Sequence, residues 1–235
     1  MSNHVTIFES FQHGLIVSCQ AMPDEPLYGS AHMLAMARAA LQGGAVAIRA
    51  NGPTDIAAIH AALPLPIIGL YKQDIEGFEV RITPTFASAV QLADAGADIL
   101  AIDASSRPRP DGRSLQELID DIHAHLGKPV LADISTFDEA LAAVEYGADA
   151  VATTLSGYTS YSPAQSEPDF VLLERLVAHL KPIGIPVIAE GRIATPAQAA
   201  QALTFGAWAV VVGGAITRPQ WISAQFVAAL RSTRS

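Results

Sequence analysis

A short repeated unit restricts this chain to very few folds. An amphipathic stretch ends in Gly-Ala and is followed by an apolar run at four places, which begin at Gly44, Gly96, Gly147 and Gly206. The glycine stands where a helix ends on a left-handed residue, and the run after it, rich in Val, Ile and Ala, is typical of a buried strand. Three further runs open on proline, a residue tolerated at the start of a strand. Together with the run at 14–20, these segments predict eight strands.

Helices are predicted between the strands. We expect strands at 14–20, 45–50, 66–72, 98–103, 129–134, 150–155, 186–190 and 209–213, and helices at 31–42, 54–62, 85–95, 114–126, 136–146, 169–180, 195–205 and 219–231. Ser114, Thr136 and Thr195 each have Glu or Gln three residues later, which predicts a capping box at the start of a helix.

The number and spacing of these units predict the fold class. Strand–helix units of about 27 residues predict a closed (β/α)8 TIM barrel. We expect a single domain over residues 1–235, with the barrel itself at about 14–231. The alternative is a doubly wound open sheet, but such a sheet rarely has eight regular units, and no G-x-G-x-x-G motif follows the first strand.

Composition and charge exclude several classes of protein. Half of the 235 residues are hydrophobic, which excludes intrinsic disorder, and the net charge of −9 argues against binding to nucleic acid or to an anionic membrane. Cys19 is the single cysteine, so no intramolecular disulfide is expected and a cytoplasmic location is predicted.

Two segments resemble membrane signals. Cys19 ends a run that resembles a lipoprotein cleavage box, but no basic region precedes it and polar residues interrupt the stretch that should be apolar. Residues 193–217 carry no charge and are numerous enough to span a bilayer. Their proline, glutamines and glycines instead predict a helix followed by a buried strand, so we expect a soluble protein.

Polar side chains close the predicted strands. In a (β/α)8 barrel the C-terminal ends of the strands share one face, and that face carries the active site. The residues at these ends are Gln20, Arg49, Lys72, Asp103, Asp133, Thr154, Glu190 and the pair Gly213-Gly214. The alternative interpretation is that polar residues mark any point where a strand leaves the core. We favour a site, because the runs begin mostly with Gly, Ala or Pro.

Lys72 and Glu190 are the strongest candidates for proton transfer. The other two lysines, Lys128 and Lys181, precede strands and belong to the opposite face. Desolvation and neighbouring arginines would lower the pKa of Lys72, as a general base or a Schiff-base amine requires. Glu190 would have a raised pKa and exchange protons with a substrate. A surface lysine and an ion-paired core carboxylate are the alternatives.

Glycine-rich turns predict a phosphate site. Gly191-Arg192 and Gly213-Gly214 follow the seventh and eighth strands, where such barrels commonly bind phosphate, and Arg218 lies nearby. The alternative is that these glycines only end strands. No histidine ends a strand, so no metal site is expected. Arg107, Arg109 and Arg113 can be interpreted as solvated charges.

Six segments of the chain together form a specific pattern. They are VSCQAMPDEPL at 17–27, IRANG at 48–52, ITPT at 82–85, ADIST at 132–136, TTLSGYT at 153–159 and AEGRI at 189–193. These segments resemble the N-acetylmannosamine-6-phosphate 2-epimerase family. The resemblance runs from about residue 14 to residue 231. It implies a barrel of the ribulose-phosphate-binding type.

The resemblance also implies an activity and a set of site residues. The activity is the interconversion of N-acetylmannosamine 6-phosphate and N-acetylglucosamine 6-phosphate by proton exchange at C2 of the open-chain sugar, in sialic acid catabolism. Lys72 and Glu190 would be catalytic. Gln20, Arg49, Asp133, Asp103 and Thr154 would bind the sugar, and Gly191, Arg192, Gly213, Gly214 and Arg218 the phosphate. No cofactor is implied, and a homodimer is expected.

Two other functions remain open at this point. One is a Schiff-base aldolase that acts on a phosphorylated sugar acid, since such enzymes also use a lysine at a strand end. The other is a sugar-phosphate-binding barrel without catalytic activity.

Overall fold

Eight parallel strands close into a barrel in the computed structural model, which describes residues 4–232. The strands are β1 (Leu15–Cys19), β2 (Ala47–Asn51), β3 (Ile67–Leu70), β4 (Ile99–Asp103), β5 (Val130–Asp133), β6 (Ala150–Ala152), β7 (Val187–Glu190) and β8 (Ala209–Val212). Each strand pairs with the next, and β1 closes the ring against both β2 and β8, with Ile16 opposite Ala47 and Val211. The predicted (β/α)8 barrel is confirmed.

Helices surround the barrel. They are α1 (His4–Glu9), α2 (Ser30–Gln42), α3 (Pro53–His60), α4 (Phe86–Asp94), α5 (Leu115–Asp121), α6 (Phe137–Glu145), α7 (Phe170–Leu180), α8 (Pro196–Thr204), α9 (Gly214–Thr217) and α10 (Pro219–Ser232). One π-helical turn, Ile122–Leu126, extends α5, and 3-10 turns follow β6 (Thr153–Leu155) and α7 (Lys181–Ile183). Neither α1 nor α9 was predicted. No helix within residues 4–232 has the length and apolar character needed to cross a membrane.

The apolar side chains form two layers. One fills the barrel interior with strand residues such as Ile16, Ile68 and Leu131, and Phe8 of α1 and Phe11 of the turn after it belong to the same layer. The other lies between the sheet and the surrounding helices. Because both faces of each strand are buried, the strands are almost continuously hydrophobic.

Local sequence signals set the helix ends. All three predicted capping boxes are present, at Ser114, Thr136 and Thr195. The four glycines of the repeated unit all have positive φ, between 91° and 98°. At Gly206 a Cβ atom would also lie 2.7 Å from Cγ1 of Val177, so glycine is required there for space as well as for conformation.

Three candidate residues lie in a setting that differs from the predicted one, and for two of them, Lys72 and Thr154, the strand ends earlier than expected. Lys72 lies beyond β3 and forms an isolated antiparallel bridge with Ile82. Thr154 belongs to the 3-10 turn after β6. Arg49 lies within β2, whose last residue is Asn51, so its side chain is enclosed by the barrel instead of standing at its edge.

Candidate active site

A cavity of about 770 Å³ opens at the C-terminal ends of the strands. All but one of the predicted site residues line it. They are Gln20, Arg49, Lys72, Asp103, Thr154, Glu190, Gly191, Arg192, Gly213, Gly214 and Arg218. Because the parallel strands share one direction, residues far apart in sequence meet on this face.

A buried charge network forms the floor of the cavity. Nη2 of Arg49 donates to Oδ2 of Asp133 at 2.5 Å, and Nη1 of Arg49 lies 3.1 Å from Oε2 of Glu190. The Thr154 hydroxyl lies 2.7 Å from Oδ1 of Asp133 and 3.1 Å from Oε2 of Glu190. Arg49 and Asp133 are almost inaccessible to solvent, so each charge depends on the other for compensation.

Asp133 lies behind the wall of the cavity. Its side chain is fully buried, and it does not line the cavity as the other candidates do. It holds Arg49 and Thr154, which do reach the cavity. The structure therefore gives Asp133 a position from which it orients two lining residues, and sugar binding by Asp133, which the resemblance implied, stays a prediction.

Lys72 extends an unpaired amine towards the same cavity. Among the described residues it forms no ion pair within contact distance, although Arg49 and Glu190 both influence its charge. Burial, reinforced by the positive charge of Arg49, lowers the pKa of Lys72 to about 8. The neutral amine is therefore present in a useful fraction near neutral pH, as a general base requires.

The pKa of Glu190 is shifted in the opposite direction to that of Lys72. Burial raises its pKa, and the negative charge of Asp133 acts in the same direction, while Arg49 opposes both. A lysine that loses its proton more readily than usual and a carboxyl group that holds its proton more tightly than usual therefore line one cavity. Such a pair can remove a proton from a bound molecule and return one.

Asp103 lies in a cluster that the sequence did not reveal. Arg107 donates to Oδ2 of Asp103 at 2.7 Å, and the Ser105 hydroxyl donates to Oδ1 at 2.5 Å. Arg109 is buried and donates to the backbone carbonyl of Asp103. The interpretation of Arg107 and Arg109 as solvated charges is wrong, because the loop after β4 folds back over the strand end. Arg113 pairs with Asp111 and Asp121.

Gln20 offers an unsatisfied polar atom to the cavity. Its amide nitrogen donates to the Ser18 hydroxyl at 2.8 Å, whereas its buried Oε1 has no partner among the described residues. Nε of Arg49 is also buried without a hydrogen bond. Because unpaired buried polar atoms are costly, these two are suited to a polar ligand.

The glycine-rich end of the cavity is lined by Gly191, Gly213 and Gly214, and the two arginines beside them bind other groups of the protein. Arg192, at φ 56°, donates to the carbonyl of Ser156 at 2.6 Å and lies over the Tyr158 ring. Arg218 pairs with Glu25 at 2.9 Å. Gly214 begins α9, whose first amides have no acceptor within the helix. The predicted phosphate residues therefore lie together, but both arginines already bind acceptors of the chain.

Metal and thiol chemistry find little support in the described part of the chain. No group of three or more His, Cys, Asp or Glu side chains there could hold a metal ion. Burial raises the pKa of the Cys19 thiol to about 12, so it is unreactive. His123 contacts Asp149 at the N-terminal end of the barrel, away from the cavity.

Comparison with known proteins shows the family of the chain. Residues 33–232 match the family model "NanE: Putative N-acetylmannosamine-6-phosphate epimerase". A relative named as a 2-epimerase of the same sugar phosphate, from Thermosynechococcus vestitus, is 52% identical over 219 residues, which cover 93% of this chain and 94% of the relative. Another of that name, from Caldanaerobacter subterraneus, is 48% identical over 97% of this chain and 95% of its own.

A solved structure agrees with the sequence comparison. The N-acetylmannosamine-6-phosphate 2-epimerase from Clostridium perfringens superposes with a TM-score of 0.90 at 48% identity, over 94% of this chain and 95% of the other. A more distant structure, described as native KDPGal, has a TM-score of 0.60 at 20% identity and shares the fold alone. This chain is therefore a member of the N-acetylmannosamine-6-phosphate epimerase family.

Proposed function

We propose that this protein interconverts N-acetylmannosamine 6-phosphate and N-acetylglucosamine 6-phosphate, in the breakdown of sialic acid. The observation that carries the proposal is the meeting of Lys72 and Glu190 in one cavity, with pKa values displaced in opposite directions. The two sugars differ only in configuration at C2, so the reaction needs proton removal and return at that carbon. Family membership supports this substrate.

The reaction begins with opening of the sugar ring. In the closed ring the C2 proton is not acidic, whereas the open-chain aldehyde at C1 acidifies it by allowing an enolate to form. Neutral Lys72 removes the C2 proton, and the electron pair left on C2 moves to form the C1–C2 double bond and the negative oxygen at C1. Return of a proton to the other face of C2 reverses this movement and completes the inversion.

Glu190 supplies the second acid/base group. It delivers the proton to the opposite face of C2, or it assists ring opening and protonates the developing oxygen at C1. Arg49 and Thr154, held by Asp133, fix the carboxyl group of Glu190 and stabilise negative charge on the sugar. Gln20 and Asp103 line the same cavity and contact the sugar hydroxyls in this scheme.

The phosphate binds at the glycine-rich end of the cavity. Gly191, Gly213 and Gly214 permit close approach of the backbone, and the first amides of α9 face an anion favourably. Arg192 adds a positive charge on one side. Arg218 shares its guanidinium between Glu25 and the phosphate, since the ion pair with Glu25 leaves part of it exposed.

Deuterium exchange tests the proposed reaction. When N-acetylmannosamine 6-phosphate is incubated with the enzyme in heavy water, NMR is expected to show deuterium at C2 of both epimers. The rate of this exchange is expected to be about 10²–10⁴-fold lower in Lys72→Met. Lys181→Met, which removes an exposed lysine outside the cavity, is the matched control and retains full activity. Wild-type exchange in Lys72→Met would reject the assignment of the base.

The same substrate distinguishes an epimerase from an aldolase and from a binding protein without activity. An aldolase would form a Schiff base at Lys72 that borohydride reduces to a stable adduct, which a C2 proton transfer does not require. A binding protein without activity would bind the sugar phosphate without C2 exchange. Absence of deuterium with full binding would therefore overturn the epimerase assignment.

The proposed active form is a cytoplasmic homodimer. No residue of α10 is buried, and Phe226 and Val227 expose 69% and 44% of their surface. An exposed apolar helix face favours association with a second copy. Phe226→Glu is expected to yield a monomer in light scattering, whereas Val171→Glu, an equally exposed position on α7, leaves the dimer intact. A wild-type monomer would contradict the proposal.

A further inference from the structure

The segment that follows β3 leaves the barrel and returns to pair with its own beginning. The amide of Thr83 donates to the Tyr71 carbonyl at 2.8 Å, and the amide of Gln73 donates to the Arg81 carbonyl at 3.0 Å. Between these two bonds, Lys72 and Ile82 form an antiparallel bridge. The backbone of Lys72 therefore lies in a short two-stranded ladder that no sequence pattern predicted.

This ladder takes the place of direct pairing between β3 and β4. The two strands pair only at Ile68 with Ile99 and at Gly69 with Leu100. Beyond that point, the amide of Asp103 donates to the Ile82 carbonyl at 2.9 Å. The returning segment thus lies between Lys72 and the end of β4, and it sets the distance of Lys72 from that strand.

Thr83 connects the returning segment to Tyr71 and to β4, and its backbone conformation is strained. Its φ is 47°, a left-handed value that is unfavourable for a β-branched residue. Its buried hydroxyl donates to the Ala101 carbonyl at 2.6 Å and accepts from the Tyr71 amide at 3.2 Å. Such strain persists only where the surroundings define the position strongly, and it is common beside active sites.

Lys72 depends on its backbone for its position. Its amine forms no hydrogen bond or ion pair with the described residues, so no polar side-chain contact fixes its direction. Its amide, however, donates to Oδ1 of Asn51 at 2.8 Å. The ladder on one side and Asn51 on the other therefore hold the backbone from which the amine extends.

We infer that Thr83 is a positioning residue for Lys72: its hydroxyl, bonded to Tyr71 and to β4, holds the lysine at the depth from which its amine meets C2 of the substrate. This inference rests on the proposed epimerase function. A displacement of about 1 Å at a reacting group can cost about 100-fold in rate, without a comparable loss of binding.

Removal of the hydroxyl tests the inference by its effect on kcat. Thr83→Ala is expected to lower kcat about 10- to 100-fold while KM stays within about twofold. Thr83→Ser keeps both hydroxyl bonds and is expected to retain wild-type kcat. Thr83→Gly relieves the backbone strain but lacks the hydroxyl, so its kcat is expected to fall as in Thr83→Ala.

Thr85→Ala is the matched control. Thr85 lies two residues further on, caps α4 by accepting from the Ser88 amide at 3.1 Å, and has no contact with Lys72. Loss of this cap lowers the stability of the protein and is expected to leave kcat unchanged. Equal falls in kcat for Thr83→Ala and Thr85→Ala would show a general effect of stability and would overturn the inference.

A measurement that needs no substrate separates the inference from the proposed function. The pH dependence of carbamylation of Lys72 by cyanate, followed by mass spectrometry, reports the pKa of its amine. The pKa of the Lys72 amine is expected to be about 8 in the wild type. It is expected to be higher in Thr83→Ala, because a displaced lysine becomes hydrated. An unchanged carbamylation profile with unchanged kcat would overturn the inference, whereas failed C2 exchange in the wild type would overturn the function alone.

Discussion

The pH dependence of C2 exchange tests whether burial makes Lys72 a base. Burial and the charge of Arg49 lower its pKa to about 8, whereas a solvated lysine has a pKa of about 10.4. At pH 7, about 9% of an amine with the lower value is neutral, against about 0.04% of a solvated one. The cavity therefore raises the fraction of reactive amine about 200-fold.

The expected profile follows from the sign of this shift. Because the neutral amine is the active form, kcat/KM for C2 exchange is lost as pH falls below the folded pKa. We expect it to rise about tenfold per pH unit from pH 6 to pH 7 and to bend near pH 8. The assay is NMR of deuterium incorporation at subsaturating substrate, with Lys181→Met as the control that keeps the profile.

Two results would refute this reasoning. A rate that does not change between pH 6 and pH 8, in an enzyme inactivated by Lys72→Met, would show that the amine does not act as a neutral base. A bend near pH 10 would show that the cavity does not desolvate Lys72. Because Lys72 and Glu190 interact, the observed apparent pKa describes the pair.

Three further predictions concern stability. Asp133→Asn removes the partner of a buried guanidinium and is expected to lower the free energy of unfolding by about 3 kcal/mol; an unchanged urea midpoint would contradict this. Burial raises the pKa of Asp55 to about 6, above an unfolded value of about 3.9. The contribution of this carboxyl group to folding stability is therefore present below pH 4 and is lost as pH rises through 6. Asp55→Asn should therefore exceed wild-type stability by about 1 kcal/mol at pH 8 and equal it at pH 4, and equal melting temperatures at pH 8 would argue against the shift. Gly206→Ala should lower stability by more than Gly44→Ala in thermal denaturation, because both have positive φ but only the first meets a neighbouring side chain.

The residues of the candidate site that could be predicted are those that stand near the end of a strand. Lys72, Glu190 and Arg49 were recognised because each stands near the end of an apolar run, and parallel strands bring such ends together. Asp133 met the same criterion but lies behind Arg49, since its depth depends on the side chains of neighbouring strands. The phosphate assignments stay predictions.

Residues held by long-range contacts were not predictable. Arg107 reaches Asp103 only because the loop after β4 folds over the strand end, and Thr83 supports Lys72 through bonds to Tyr71, just beyond β3, and to Ala101 of β4. The pairing of Arg218 with Glu25 joins positions 193 residues apart. None of these contacts leaves a periodic pattern in the sequence.

By itself, the sequence determined the number of strand–helix units, the ends of the helices and the face on which polar groups collect. These features depend on local interactions, namely helix caps, left-handed glycines and hydrophobic runs, which act within a few residues. Only the tertiary structure decided which polar groups reach the cavity, which are desolvated and how their pKa values shift. Those properties depend on distances between separate strands and on the exclusion of water, both of which arise when the barrel closes.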